Sequence, residues 1–106
     1  MLESSRDDAA TASLQARVLS GVRAAILRVD RRVRPEAIRP EASLVEDLGL
    51  DSIKFVGLGI ALEEALGIEE FPMQDWSDRE AARESGRFTV ASLVAVCMEC
   101  LGEAGP

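Results

Sequence analysis

Residues 46–68 read EDLGLDSIKFVGLGIALEEALGI. Within this stretch, residues 52–66 carry the strongest helical pattern in the chain. Asp51 is a suitable N-cap, because its carboxylate can accept a hydrogen bond from a first-turn N–H. Gly67 supplies the residue type that most often ends a helix. At 100° per residue, Phe55, Leu58, Gly59, Leu62 and Leu66 share one stripe, which predicts a core-facing side. Ile53, Val56, Gly57, Ile60, Glu63 and Glu64 cluster on the far side, apolar at the top and acidic lower down. One core contact does not explain both faces, and Ser52 stands at the head of the helix between them.

Working outward, the apolar residues Leu14, Val18, Val22, Ala25 and Val29 recur at helical spacing, with Gly21 on the same face. They predict a first helix from Thr11 to about Val29, started by Thr11 or Ser13. Residues 30–51, DRRVRPEAIRPEASLVEDLGLD, hold two prolines and a glycine with no sustained period. They read as a long connection, with Val33, Ile38 and Leu44 plugging it into the core. A loop of this length in a small domain is unusual and often functional. After IEEFPMQDW, Ser77 and Glu80 have capping-box spacing for a short helix that Gly86 stops. A last helix begins at Thr89, with Val90, Leu93, Val94, Cys97 and Leu101 as its apolar face. The expected architecture is all-α: a bundle of three principal helices plus a short one, with the long loop between the first two principal helices. Residues 1–10 read as a disordered tail, 11–102 as the domain and 103–106 as a flexible C-terminus.

The bulk properties narrow the function. A chain of 106 residues buries about two-thirds of its unfolded surface and needs no staples. Residues 1–39 hold eight Arg against five acids, giving +3, and residues 40–106 hold four bases against fourteen acids, giving −10. Such an acidic body is the wrong balance for nucleic acid and suits partners with basic surfaces, although ordinary solubility looks the same. No run is long enough to span a bilayer, and the polar MLESSRDDAA is not a signal peptide; both point to the cytoplasm. The initial Met and short polar ends suggest a free-standing protein. Cys97 and Cys100, with no histidine anywhere, are too few ligands for a zinc site. Without a βαβ pattern CMEC does not read as a redox motif. No metal site is expected.

Ser52 has a bland reading: Asp51 caps and serine is tolerated in the first turn. A hydrolase would need a general base, commonly histidine, and Lys54, two residues on, points elsewhere on a helix. What remains is a hydroxyl that accepts a modification. A helix N-terminus favours an attached phosphate through its unpaired N–H groups and the positive end of the dipole.

These residues resemble the prosthetic-group segment of acyl carrier proteins, Asp-Leu-Gly-x-Asp-Ser-Leu followed by an apolar helix ending in Glu-Glu and Gly. Asp47, Leu48, Gly49, Asp51 and Ser52 match directly, Ile53 replaces Leu, and Val56, Leu58, Ala61, Leu62, Glu63, Glu64 and Gly67 fall in phase. The upstream PEAIRPEASLVEDLG resembles the family's loop and TVASLV the start of its last helix, so the resemblance covers about residues 12–101. It implies that a phosphopantetheinyl transferase attaches 4′-phosphopantetheine to Ser52, that Asp51 supports this Mg²⁺-dependent transfer, and that acyl groups ride on the arm as thioesters. It further implies a non-catalytic, monomeric carrier with no nucleic-acid or membrane partner. Its partners would be the transferase and acyl-loading and acyl-transferring enzymes with basic surfaces. Those partners would dock on Asp47, Ile53, Val56, Ile60, Glu63 and Glu64. Two alternatives stand beside it: an aminoacyl or peptidyl carrier of a nonribosomal pathway, and an acidic helical interaction module that leaves Ser52 unused.

Three features depart from the family pattern. Gly57 and Gly59 each cost about 1 kcal/mol relative to Ala inside a helix. Gly59, beside Leu58 and Leu62 and opposite Gly21, could leave a pocket for cargo, or could simply allow close helix approach. Lys54 puts a cation beside the serine. FPMQDWSDREAARESGRF is longer than in compact fatty-acid carriers, with Trp76 as a packing anchor or a docking knob. Together they suggest a carrier specialised for polyketide-type or other secondary metabolism rather than housekeeping fatty-acid synthesis.

Overall fold

In the computed structural model, the backbone is described for residues 2–103 and the side chains for residues 12–102. Four helices follow one another: α1, Leu2–Val29; α2, Ser52–Leu66; α3, Met73–Ala81; and α4, Val90–Glu103. There is no strand among the described residues, only an isolated bridge between Ser43 and Thr89. The chain is an all-α bundle of three principal helices and a short one, as its periodicity requires.

The first helix begins at Leu2, not near Thr11, so the backbone of the expected tail is helical. Its packed part is the part the apolar period picks out: Val18, Val22 and Ala25 are buried, and Ile26 joins them. Of the expected flexible C-terminus, residues 104–106 lie outside the described residues.

Helix α1 packs against both α2 and α4, and glycines set how closely. A Cβ on Gly21 would lie 2.4 Å from Leu66 Cδ2, and one on Gly57 would lie 3.2 Å from Val29 Cγ1. Gly21 therefore faces Leu66 rather than Gly59, and close approach of α1 to α2 accounts for it.

The long connection is fixed rather than slack. Val33, Ile38 and Leu44 are all buried, as expected, and Pro35–Ala37 forms a single 3₁₀ turn. Leu44 N–H donates to Phe88 O at 2.8 Å, Val90 N–H to Ala42 O at 3.0 Å and Ala91 N–H to Pro40 O at 2.8 Å. These bonds pin the loop to the head of α4, where Thr89 Oγ1 accepts from Ser92 N–H at 3.1 Å as an N-cap.

The short helix is where sequence and structure part. It starts at Met73, four residues before the Ser77–Glu80 capping box, so Ser77 is interior. Glu80 turns inward instead. It is 4% exposed and its carboxylate accepts from Phe88 N–H at 2.8 Å. Glu63 does the same for the preceding connection, accepting from Phe71 N–H at 2.8 Å. Each acid thus holds the N–H of a phenylalanine eight residues ahead, and both phenylalanines pack on Trp76, with ring centroids 6.4 Å (Phe71) and 5.5 Å (Phe88) away. Phe55 completes the cluster, 6.3 Å from Trp76 and 5.8 Å from Phe88. Trp76 is 2% exposed and its indole N–H donates to Ser92 Oγ at 3.1 Å. It is a packing anchor and not a docking knob.

Candidate functional site

Ser52 is the first residue of α2 and is exposed. Three local features set it there. Asp51 has an extended backbone, with φ −97° and ψ −179°, and its Oδ1 accepts from Lys54 N–H at 2.9 Å. A cap of this kind stabilises a helix by about 1 kcal/mol. Leu48 and Leu50 are buried on either side of Gly49, which takes φ +71°, a conformation costly for any residue with a Cβ. Two leucine anchors around one left-handed glycine deliver Asp51 and Ser52 to the surface in a fixed direction.

The approach turn is closed by side chains. Asp47 Oδ2 accepts from Ser43 N–H at 2.7 Å, while Ser43 Oγ accepts from Glu46 N–H at 3.0 Å. Asp47, expected to meet partners, is thus a turn-closing residue, although it stays exposed.

Lys54 does not offer its charge to the serine. Its ammonium lies 2.6 Å from Asp30 Oδ2 at the end of α1. Asp30, 8% exposed, also accepts from Arg32 N–H at 3.0 Å and Arg32 Nε at 3.4 Å. The Lys54 hydrogen bond, then that from the Arg32 backbone, hold its carboxyl at about 2, below the ordinary 3.8. Asp30 escapes sequence reading because its main partner is 24 residues away. The only local signal is an acid leading an Arg-rich run.

The outer face of α2 is apolar for two turns: Ile53 is 81% exposed, Val56 64% and Ile60 54%. Below it the acids are occupied, Glu63 by Phe71 N–H and Glu64 by Arg28 Nη1 at 2.5 Å. On the inner face, Leu58 and Leu62 have no exposure and Gly59 is buried. A Cβ on Gly59 would lie 3.4 Å from Met73 Cε and 4.0 Å from Phe71 Cδ1. The space expected for cargo beside Gly59 is therefore bordered by Met73 of α3 and by Phe71 of the connection before it, at ordinary contact distance. Cys97 faces the core, and burial pushes its thiol up to about 12, far from the reactive range.

The fold is thus a small helical bundle that presents a hydroxyl at the capped head of its second helix. A family model described as "Phosphopantetheine attachment site" matches residues 20–75, more than half of the chain. The chain belongs to this family, that of phosphopantetheine-bearing acyl carrier proteins. It is 54% identical over 37 residues to an acyl carrier protein of Nitratidesulfovibrio vulgaris (strain DSM 19637 / Miyazaki F), which is 35% of this chain and 49% of that one. It is 46% identical over 55 residues to an acyl carrier protein of Thermosynechococcus vestitus, 52% of this chain and 67% of that one. The chain thus spans about half to two-thirds of the curated relatives it matches. A search of solved structures gave no significant match.

Membership implies a covalently attached 4′-phosphopantetheine, and the geometry fits one. The matched segment contains an exposed hydroxyl on the first residue of a helix, and a helix N-terminus favours an attached phosphate. That arrangement contributes about 0.3–1 kcal/mol at an exposed site. No helix among the described residues is long and apolar enough to cross a membrane.

Proposed function

We propose that the chain is an acyl carrier whose prosthetic arm is attached to Ser52, with residues 11–102 as its carrier domain. The observation that carries this reading is the exposed Ser52 hydroxyl on the first residue of α2, behind the Asp51 cap and inside the family-matched segment. In the attachment step, Ser52 Oγ bonds to the phosphorus of coenzyme A that bears the pantetheine. The pyrophosphate bond to that phosphorus breaks, 3′,5′-ADP departs, and the serine proton passes to a base on the transferase. Asp51 supports this Mg²⁺-dependent transfer. When bound, the arm supplies a terminal thiol that holds acyl groups as thioesters. The rest of the chain keeps α2 rigid beneath it, which gives the cargo a high effective concentration at a docked enzyme.

Catalysis by Ser52 itself finds no support. The chain has no histidine, and Lys54 Nζ is held by Asp30, so neither is positioned to take the serine proton. The consumers of the cargo are enzymes of fatty-acid or polyketide-type synthesis in the cytoplasm. The test is to incubate the protein with coenzyme A, Mg²⁺ and a broad-specificity phosphopantetheinyl transferase and to measure intact mass. Wild type gains one phosphopantetheinyl group and Ser52→Ala gains none; a gain by Ser52→Ala, or none by wild type, refutes the assignment. Loading the product from acyl-CoA or from an adenylated amino acid then separates an acyl from an aminoacyl carrier.

A further inference from the structure

Residues 31–41, RRVRPEAIRPE, carry four arginines against two glutamates, and all six charged residues are exposed. Arg32 leans on Asp30. Among the described residues, Arg31, Arg34 and Arg39 make no ion pair, and neither do Glu36 and Glu41. Solubility does not call for these cations. The chain stands at −7, and each arginine brings it nearer to zero, the direction that favours precipitation. The patch is also held in place: Val33 and Ile38 are buried, and Arg23 Nη2 donates to Pro35 O at 3.1 Å. Arginines set between such anchors need little further ordering to make a contact.

The patch adjoins the attachment site. Lys54, two residues after Ser52, lies 2.6 Å from Asp30, which precedes Arg31. Arg32, Arg34 and Ala37 share a recess with Asp47, Leu48 and Gly49, the turn that leads to Ser52. A standard interface covers about 800 Å² on each partner, a disc of about 16 Å radius, wide enough for an enzyme seated on Ser52 to meet both walls of that recess. We infer that the phosphopantetheinyl transferase acting on Ser52 carries an acidic patch that seats against Arg31 and Arg34. The inference rests on the carrier reading above and names the chemistry of the partner. Glu46, Asp47 and Asp51 are exposed on the approach to Ser52, so the ground around the serine carries both signs. The enzyme's face is then acidic over the loop but not over the turn. An anionic membrane or a nucleic-acid duplex fits less well, because its extended negative charge would also meet those three acids. Nor does any large apolar side chain stand exposed within residues 31–41 to enter a bilayer.

The experiment uses the full chain, coenzyme A, Mg²⁺ and the cognate transferase, with arm transfer followed by intact mass at varied carrier concentration. The double variant Arg31→Glu/Arg34→Glu raises KM about tenfold at about 50 mM NaCl with kcat nearly unchanged, and the gap narrows to less than about threefold at about 500 mM, since charges at an interface rim are screened by salt. Arg31→Lys/Arg34→Lys keeps the charge and stays within about twofold of wild type. So does Arg17→Glu, an exposed site that lies about 18 Å of helix before the end of α1. Circular dichroism and urea midpoints show that each variant keeps its fold. A basic enzyme face would hold the reversed chain more tightly, so an unaltered or lowered KM for the double glutamate variant overturns the inference while leaving Ser52 as the attachment point. If that variant keeps its KM and wild type instead sediments with phosphatidylglycerol vesicles, the arginines belong to a membrane contact and the inference fails as well. No transfer to wild type under any condition overturns the carrier reading itself.

Discussion

At its head, α2 carries an exposed serine, a capping aspartate and an isoleucine that is 81% exposed. At its tail the same helix ends in a carboxylate bound to a loop N–H and a leucine packed on Gly21. Beyond that tail, Trp76, Phe71 and Phe88 form a ring cluster that Phe55, from the first turn of α2, completes, held by Glu63 and Glu80. The head depends on caps and anchors placed behind it and the tail on dense packing. The attachment point proposed at Ser52 must be reached by other proteins, so it cannot be stabilised by contacts that cover it. The tail supplies the rigidity that the head gives up.

Four substitutions probe this division, beginning with the largest effect. Trp76→Ala removes the centre of the ring cluster and should destabilise the fold by about 3–5 kcal/mol, read by urea unfolding. Arm transfer to the remaining folded protein should be largely kept, since Trp76 reaches the head only through the ring of Phe55. Loss of transfer in proportion to lost stability would mean that the two regions are one unit. The paired acids come next. Glu80→Ala strands a part-buried N–H and should cost about 1–3 kcal/mol. Glu63→Ala, at a half-buried site where water can replace the carboxylate, should cost about 1 kcal/mol or less. Equal losses would show that the two loops are held to the same degree.

The smallest effect is the pH response of the brace behind the head. Asp30 binds its proton more weakly when folded, with its pKa lowered from 3.8 to about 2 by Lys54 and Arg32. Its contribution is therefore complete above about pH 4 and fades as pH falls toward 2. Urea midpoints for wild type and Asp30→Asn should differ at pH 6 and converge as pH drops through that window. A gap that stays constant down to pH 3 would show that the pairing does not shift this carboxyl.

The head was largely legible in the sequence and the tail was not, for a physical reason. Asp51, Ser52 and Gly67 act through neighbours a few residues away, so propensity and capping rules placed α2 with both ends correct. The outward strip followed from 3.6-residue periodicity alone. Glu80 was misread because capping-box spacing is a local pattern, whereas its partner, Phe88 N–H, sits beyond a turn. Glu63 and Glu64 read as solvent acids ready for partners, because their distance from Phe71 and Arg28 is set by the fold. Gly21 reads as a neighbour of Gly59 and Gly57 as part of the outer face, whereas the fold sets Gly21 against Leu66 and Gly57 against Val29 of α1.

The most direct test is to fragment the transferase-treated protein and locate the added mass. The phosphopantetheinyl group should lie on Ser52 alone, in the peptide running from the left-handed Gly49 into the first turn of α2. Finding it on Ser43, Ser77 or any other hydroxyl would contradict the account.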